Sequence, residues 1–170
     1  MKQMKSLLIA ALLFVGASQT VSAQAKVAHI NVSELMTNMP EMKAANTQLQ
    51  KLGDTYDKEY NTMVDEFKTK VTKYDQEQST VSAAVNETRG AEVQDMRTRI
   101  EQYQQTASKE LQTKQEQIVK PILEKARGAI QKVAKAKGFQ YVLDSSTGSG
   151  VLLADGPDLL ADVKKELGFK

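Results

Sequence analysis

The sequence predicts an α+β chain: a small β-rich oligomerisation body carrying a long antiparallel α-helical coiled-coil hairpin. Three observations predict it. The stretches 41–78 and 86–137 hold a single proline between them, and each bears one narrow apolar stripe at helical spacing. The two stripes are mirror images about a centre between residues 81 and 82. Short β-branched runs lie only outside them, at Lys26–Val32, Phe139–Asp144 and Val151–Ala154.

Taken in order, the chain opens with Lys2 and Lys5, an apolar run over Leu7–Ala17 and the small residues of Val21-Ser22-Ala23. That is the layout of a secretory signal, cleaved after Ala23. The run is well short of the roughly 20 residues that a membrane span needs. Residue 24 is Gln rather than Cys, so no lipid anchor is expected on the mature end. Next, Lys26–Val32 alternates and reads as a strand, Ser33 caps a short helix over Glu34–Asn38, and Pro40 suits the first turn of the first long helix. Ser79–Val85 is small and almost uncharged, so it is the expected turn between the long helices. Phe139–Asp144 is a second strand, 145–150 a turn, and Val151–Ala154 a third strand. Pro157 opens a closing helix with Leu159, Leu160, Val163 and Leu167 on one side. The division that follows is a signal over 1–23, a body from 24–40 and 121–170, and an arm over 41–120 with its tip near 79–85.

The stripes define a seam. In the first helix it runs through Leu52, Tyr56, Tyr60, Met63 and Phe67, and in the second through Met96, Ile100, Tyr103 and Leu111. Both repeat about every eleven residues, which gives a nearly straight stripe instead of a left-handed supercoil. So narrow a seam cannot stabilise a lone helix of this length in water and must face a partner. Reflection about the shared centre sets Met63 beside Ile100, Phe67 beside Met96, Tyr60 beside Tyr103, Tyr56 beside Ala107 and Leu52 beside Leu111. Each arm of about 40 residues would extend roughly 60 Å. Gly53, Gly90 and Pro121 are where such arms could bend.

Composition excludes several classes of function. There is no Cys, and His29 is the one histidine, in a strand-like run where a structural role is expected. Gly148-Ser149-Gly150 lacks the context of a phosphate loop and reads as a turn. No catalytic residue, metal or cofactor is expected. The signal carries two of the 23 basic residues and none of the 21 acidic ones, so the mature chain has 21 of each and no net charge. Nucleic-acid binding, which wants a basic excess, is not expected. The few strands would leave open edges, which pooling several copies would close. Ile30, Val32, Tyr141 and Leu143 are the expected oligomer core.

The order and spacing of VAHINVSELMTNMPEMKAA, the charged hairpin, IVKPILEKARGAIQKVAKAKGFQYVLD and DLLADVKKEL resemble the Skp (OmpH-like) periplasmic chaperones of Gram-negative bacteria over essentially the whole mature chain. The run from Ile118 to Asp144 carries most of the likeness. The resemblance implies a jellyfish-shaped homotrimer in the periplasm, with three helical arms around a cavity. It implies a chaperone that holds unfolded outer-membrane β-barrel proteins without ATP. The chain departs from the strongly basic members: Lys43–Lys120 holds twelve basic and thirteen acidic residues. Basic excess is confined to the hairpin base, from Lys120 to Lys137, where weak contact with a membrane or lipid could occur, and no lipopolysaccharide site is carried over. Off the seam, Val64, Val81, Val85, Val119 and Leu123 are the expected client-binding residues, each worth about 1 kcal/mol when partly covered. The competing reading, a periplasmic coiled-coil scaffold or spacer, fits the periodicity, but a spacer gains more reach from one uninterrupted helix.

Overall fold

A computed structural model describes residues 25–170, so the expected signal lies outside the described residues. The element order is β1 (Val27–Ile30), α1 (Val32–Asn38), α2 (Pro40–Glu77), a single 3-10 turn (Gln78–Thr80), α3 (Ala83–Ala136), β2 (Tyr141–Asp144) and α4 (Leu160–Glu166). The molecule is mostly helical. α2 and α3 pack as an antiparallel hairpin, and β1 and β2 form a two-stranded parallel sheet.

Local chemistry fixes where each element begins and ends. β1 stops at Ile30, short of the expected Val32, because the Asn31 side chain accepts a hydrogen bond from Glu34 N–H at 2.9 Å and caps α1. Asn31 therefore does what Ser33 was expected to do, and Val32 lies in the first turn of a helix. Pro40 opens α2, where the missing N–H leaves no helical bond unmade. The tip is tighter than the expected 79–85 turn: Ser82 caps α3 by accepting from Val85 N–H, and Val85 is helical. α3 runs unbroken through Pro121 for 54 residues. It ends where Gly138 takes a φ of +74° and Phe139 N–H returns to the Ala134 carbonyl at 2.9 Å.

Two expected elements differ. Val151–Ala154 forms no strand, and Leu152 and Leu153 stand 102% and 83% exposed. The segment finds no place beside β1, where β2 flanks one side and Asp158 bridges to His29 on the other. The closing helix starts at Leu160 instead of Pro157. Its would-be first turn serves as an edge, with His29 N–H donating to Pro157 O and Leu159 N–H to His29 O, both at 3.0 Å.

A single buried cluster holds the body together: Ala28 and Ile30 from β1, Leu35, Met36 and Met39 around α1, Ala126, Ala129, Val133 and Ala134 from α3, and Leu159 and Val163 at α4. The three alanines give α3 a shallow face, which lets the helix lie close to the sheet and the short helices. Parallel register sets Val27 against Tyr141 and His29 against Leu143. Side chains alternate across a sheet, so Ala28 and Ile30 enter the core while Val27, Tyr141 and Leu143 share the opposite, exposed face. His29 joins loops at both strand ends. Its Nε2 donates to the Gly156 carbonyl at 3.1 Å, and its Nδ1 lies 3.2 Å from Ser145 Oγ.

Candidate functional site: the helical hairpin

Two helices can cover each other on one side only, so the seam remains half open. Leu52, Tyr56, Tyr60, Met63, Phe67, Ile100, Tyr103 and Leu111 are all half-buried, and Met96 is buried. A polar layer completes the pairing. Tyr56 Oη donates to Glu110 and Tyr103 Oη to Glu59, both at 2.8 Å. Lys70 pairs with Glu92, Arg89 with Glu77, and Lys125 with Glu41. Arg89 also lies over the Tyr74 ring, 4.5 Å from its centre. These pairs straddle the centre between residues 81 and 82. The aromatic contact is shifted, however: Tyr103 packs edge-on to Tyr56, with centroids 6.5 Å apart, and not on Tyr60 as the reflection expected. Its hydroxyl reaches Glu59, one residue from the reflected position, and Tyr60 lies on the same side of the seam.

These contacts leave a signature in the ionisation of the arm. Hydrogen bonds from Lys70 and then Tyr74 hold the Glu92 carboxyl below its ordinary range, while the Glu92 carboxylate raises both Lys70 and Tyr74. Glu110 raises the Tyr56 phenol. Removal from water between the arms, and then the bond to Glu59, pushes Tyr103 up to about 12. Lys125 lowers Glu41 at the base. Charges scattered over a helix face are solvated by default, but these cross the seam. Reflection of Lys70 about the stripe centre falls one residue from Glu92, so the mirror that aligned the apolar residues carried this signal too.

The expected client-binding residues are spread along the arm rather than gathered. Val81 and Val85 sit at the tip, Val64 in the first arm, and Val119 and Leu123 at the base. Val85 and Leu123 are exposed and the others half-buried. Leu123 lines a groove of about 500 Å³ with Val32, Met36, Ile130, Phe139 and Val142, beside Arg127 and Lys135. The expected oligomer-core residues separate as well. Ile30 is 1% exposed inside the chain's own core, and Val32 packs partly against that core. Ile30 therefore offers no free face to a second copy, whereas half-buried Val32 still lines the groove. Tyr141 and Leu143 remain 60% and 46% exposed on the outer face of the sheet.

Among the described residues, no group of His, Cys, Asp and Glu gathers closely enough to hold a metal ion. No described helix is long and apolar enough to cross a membrane.

The family model described as Outer membrane protein (OmpH-like) matches residues 26–167. Two relatives are each named Chaperone protein Skp. That of Pectobacterium atrosepticum is 26% identical over 155 residues, covering 91% of this chain and 93% of its own. That of Yersinia enterocolitica is 28% identical over 166 residues, covering 96% and 99%. A crystal structure of an OmpH-like outer membrane chaperone from Caulobacter crescentus superposes with a TM-score of 0.76 at 18% identity and covers 85% of both chains. It shares the fold.

Proposed function

The chain belongs to the OmpH-like outer membrane protein family, and from that premise we propose that it is an ATP-independent periplasmic chaperone for unfolded outer-membrane β-barrel proteins. The observation that carries the reading is the half-open seam of α2 and α3 on a hairpin far longer than its body. An unfolded barrel strand exposes alternating apolar and polar residues. A hairpin with a polar surround and shallow apolar relief can shield such a strand without locking it. Val64, Val81, Val85, Val119 and Leu123 supply weak contacts of about 1 kcal/mol each. Repetition over several arms turns weak contacts into useful avidity, because each later contact forms at high effective concentration. The same weakness lets the client leave without nucleotide.

The assembly is a homotrimer held through its bodies, with three arms around the client. The exposed sheet face of Val27, Tyr141 and Leu143 and the uncovered Leu152 and Leu153 support this reading, since an apolar surface of that kind is expected to be covered. The work divides between a body, 24–40 with 121–170, and an arm, 41–120.

The test is suppression of aggregation when a urea-unfolded barrel protein is diluted into the mature chain without nucleotide. The intact chain should keep the client soluble. A variant lacking residues 54–109, closed by a short turn, should stay folded and give no protection. Full protection by the armless variant would refute the arm mechanism.

A further inference from the structure

We propose that the groove between the arms at Gly53 and Ala107 is a subsite for a cationic side chain, arginine above all, of an unfolded polypeptide. The inference rests on the chaperone reading and adds a chemical preference to it.

Three features converge there. The first is room. Gly53 and Ala107 place two small residues where the arms meet, leaving a cavity of about 290 Å³ walled by Tyr56, Tyr60 and Tyr103, with Asp57 at its rim. A Cβ added at Gly53 would meet nothing within 4 Å. The second is fixed aromatic walls. Tyr56 and Tyr103 stand edge to face at 76°, and each hydroxyl is anchored on a carboxylate, Glu110 and Glu59 respectively. A phenol that donates to an anion gains electron density on its ring, which favours a cation against it. The third is charge. Asp57 is the charged residue lining the cavity. Among the described residues neither it nor Glu59 nor Glu110 takes part in an ion pair. Lys58 lines the adjoining groove on the other side of Tyr103, with Asp54, Glu59 and Met63, and does not line this cavity. An acidic client side chain is repelled by this site, and an aliphatic one forgoes the cation–ring attraction. A guanidinium satisfies both: its plane stacks on tyrosine while its N–H groups reach Asp57.

The test titrates the mature chain with a short extended peptide of alternating threonine and valine bearing one central arginine, and with the same peptide bearing glutamine, phenylalanine or glutamate. The ring signals of Tyr56 and Tyr103 are followed by NMR. The arginine peptide should bind about fivefold more tightly than the glutamine peptide and shift those rings. Asp57→Asn should cut that preference, and Gly53→Leu should abolish it by filling the cavity. Gly53→Leu faces open space and replaces glycine with a better helix former, so circular dichroism should show an intact arm. Equal binding of arginine and glutamine peptides, tightest binding of the phenylalanine peptide, or a preference that survives Gly53→Leu would overturn the subsite. The same wild-type sample, assayed with a full-length unfolded barrel protein, reads the chaperone function separately. Protection there with no arginine preference removes the subsite alone, and loss of protection with the preference intact removes the chaperone reading alone.

Discussion

Tyr103 shows how one side chain ties the two arms together. Its ring packs on Tyr56 and its hydroxyl reaches Glu59 across the seam. Ionising it would place a phenolate beside a carboxylate, so the folded arm favours the neutral form. A group whose folded pKa is raised contributes stability that is fully present below its unfolded value near 10 and is lost as pH rises toward about 12. Tyrosinate absorbance should therefore show late titration of Tyr56, Tyr74 and Tyr103 in the folded chain, with the latest component lost in Tyr103→Phe. Glu92 gives the opposite case at the acid end. Its carboxyl is lowered by Lys70 and Tyr74, so its contribution is present above the ordinary glutamate range and is lost as pH falls through the folded value. The protection factors of tip amides, that is, exchange relative to the intrinsic rate at each pH, should fall on acidification in the wild type and depend less on pH in Glu92→Gln. The two residues were not equally legible. Tyr103 stands out as part of an apolar period, but its ring packs on Tyr56 and not on Tyr60, because a periodic stripe records which face a ring occupies and not which of two neighbouring rings it meets. Glu92 was hidden among the many charges of a helix surface, where most carboxylates are solvated.

At the scale of elements, the hairpin and the body are stabilised by different means. The seam is an open strip of half-buried side chains, whereas the body is a closed cluster in which Leu35 and Val163 are fully buried. Phe67→Ala should accordingly loosen the arm by about 1–2 kcal/mol, below the range for a fully buried phenylalanine. Leu35→Ala should cost the body ~2–5 kcal/mol. Hydrogen exchange resolved along the chain should find the first effect in α2 and α3 toward the tip and the second around β1, α1 and α4. The helices were the legible elements, because stripes sustained over many turns leave little choice of structure, and their mirror symmetry located the turn. The short elements were less so. The Asn31 cap cut β1 short, and the segment after Gly156 became an edge for His29 instead of a helical turn. Both outcomes depend on which backbone groups find partners in three dimensions. Val151–Ala154 reads as a strand but pairs with neither β1 nor β2, and an apolar run alone does not make a strand without a paired edge.

At the scale of the whole molecule, the surface that one copy leaves uncovered sets the expected assembly. The sheet is too small to hide both of its faces: Ile30 points into the body's own core, while Tyr141 and Leu143 point out. This distinction allows a cleaner test than strand content alone would. Ile30→Asp would place an unpaired carboxylate inside the monomer's core and unfold the body, so dissociation of that variant would say nothing about the interface. Leu143 is 46% exposed in a single copy, so Leu143→Asp can keep its charge in water as long as no second copy covers it. The monomer fold should survive with its helical circular dichroism unchanged. In a trimer closed over this face, the same carboxylate would be stripped of water, at a cost of several kcal/mol per copy. Light scattering at micromolar concentration should therefore give about three times the monomer mass for the mature wild type and the monomer mass for Leu143→Asp. A helical monomer in both cases would leave the sheet face free and remove the shared body. A trimer in both cases would place the interface elsewhere, with exposed Leu152 and Leu153 the next positions to charge. Dissociation should also weaken client protection more than the loss of any single valine along the arm, because it removes the simultaneous contacts on which weak sites depend.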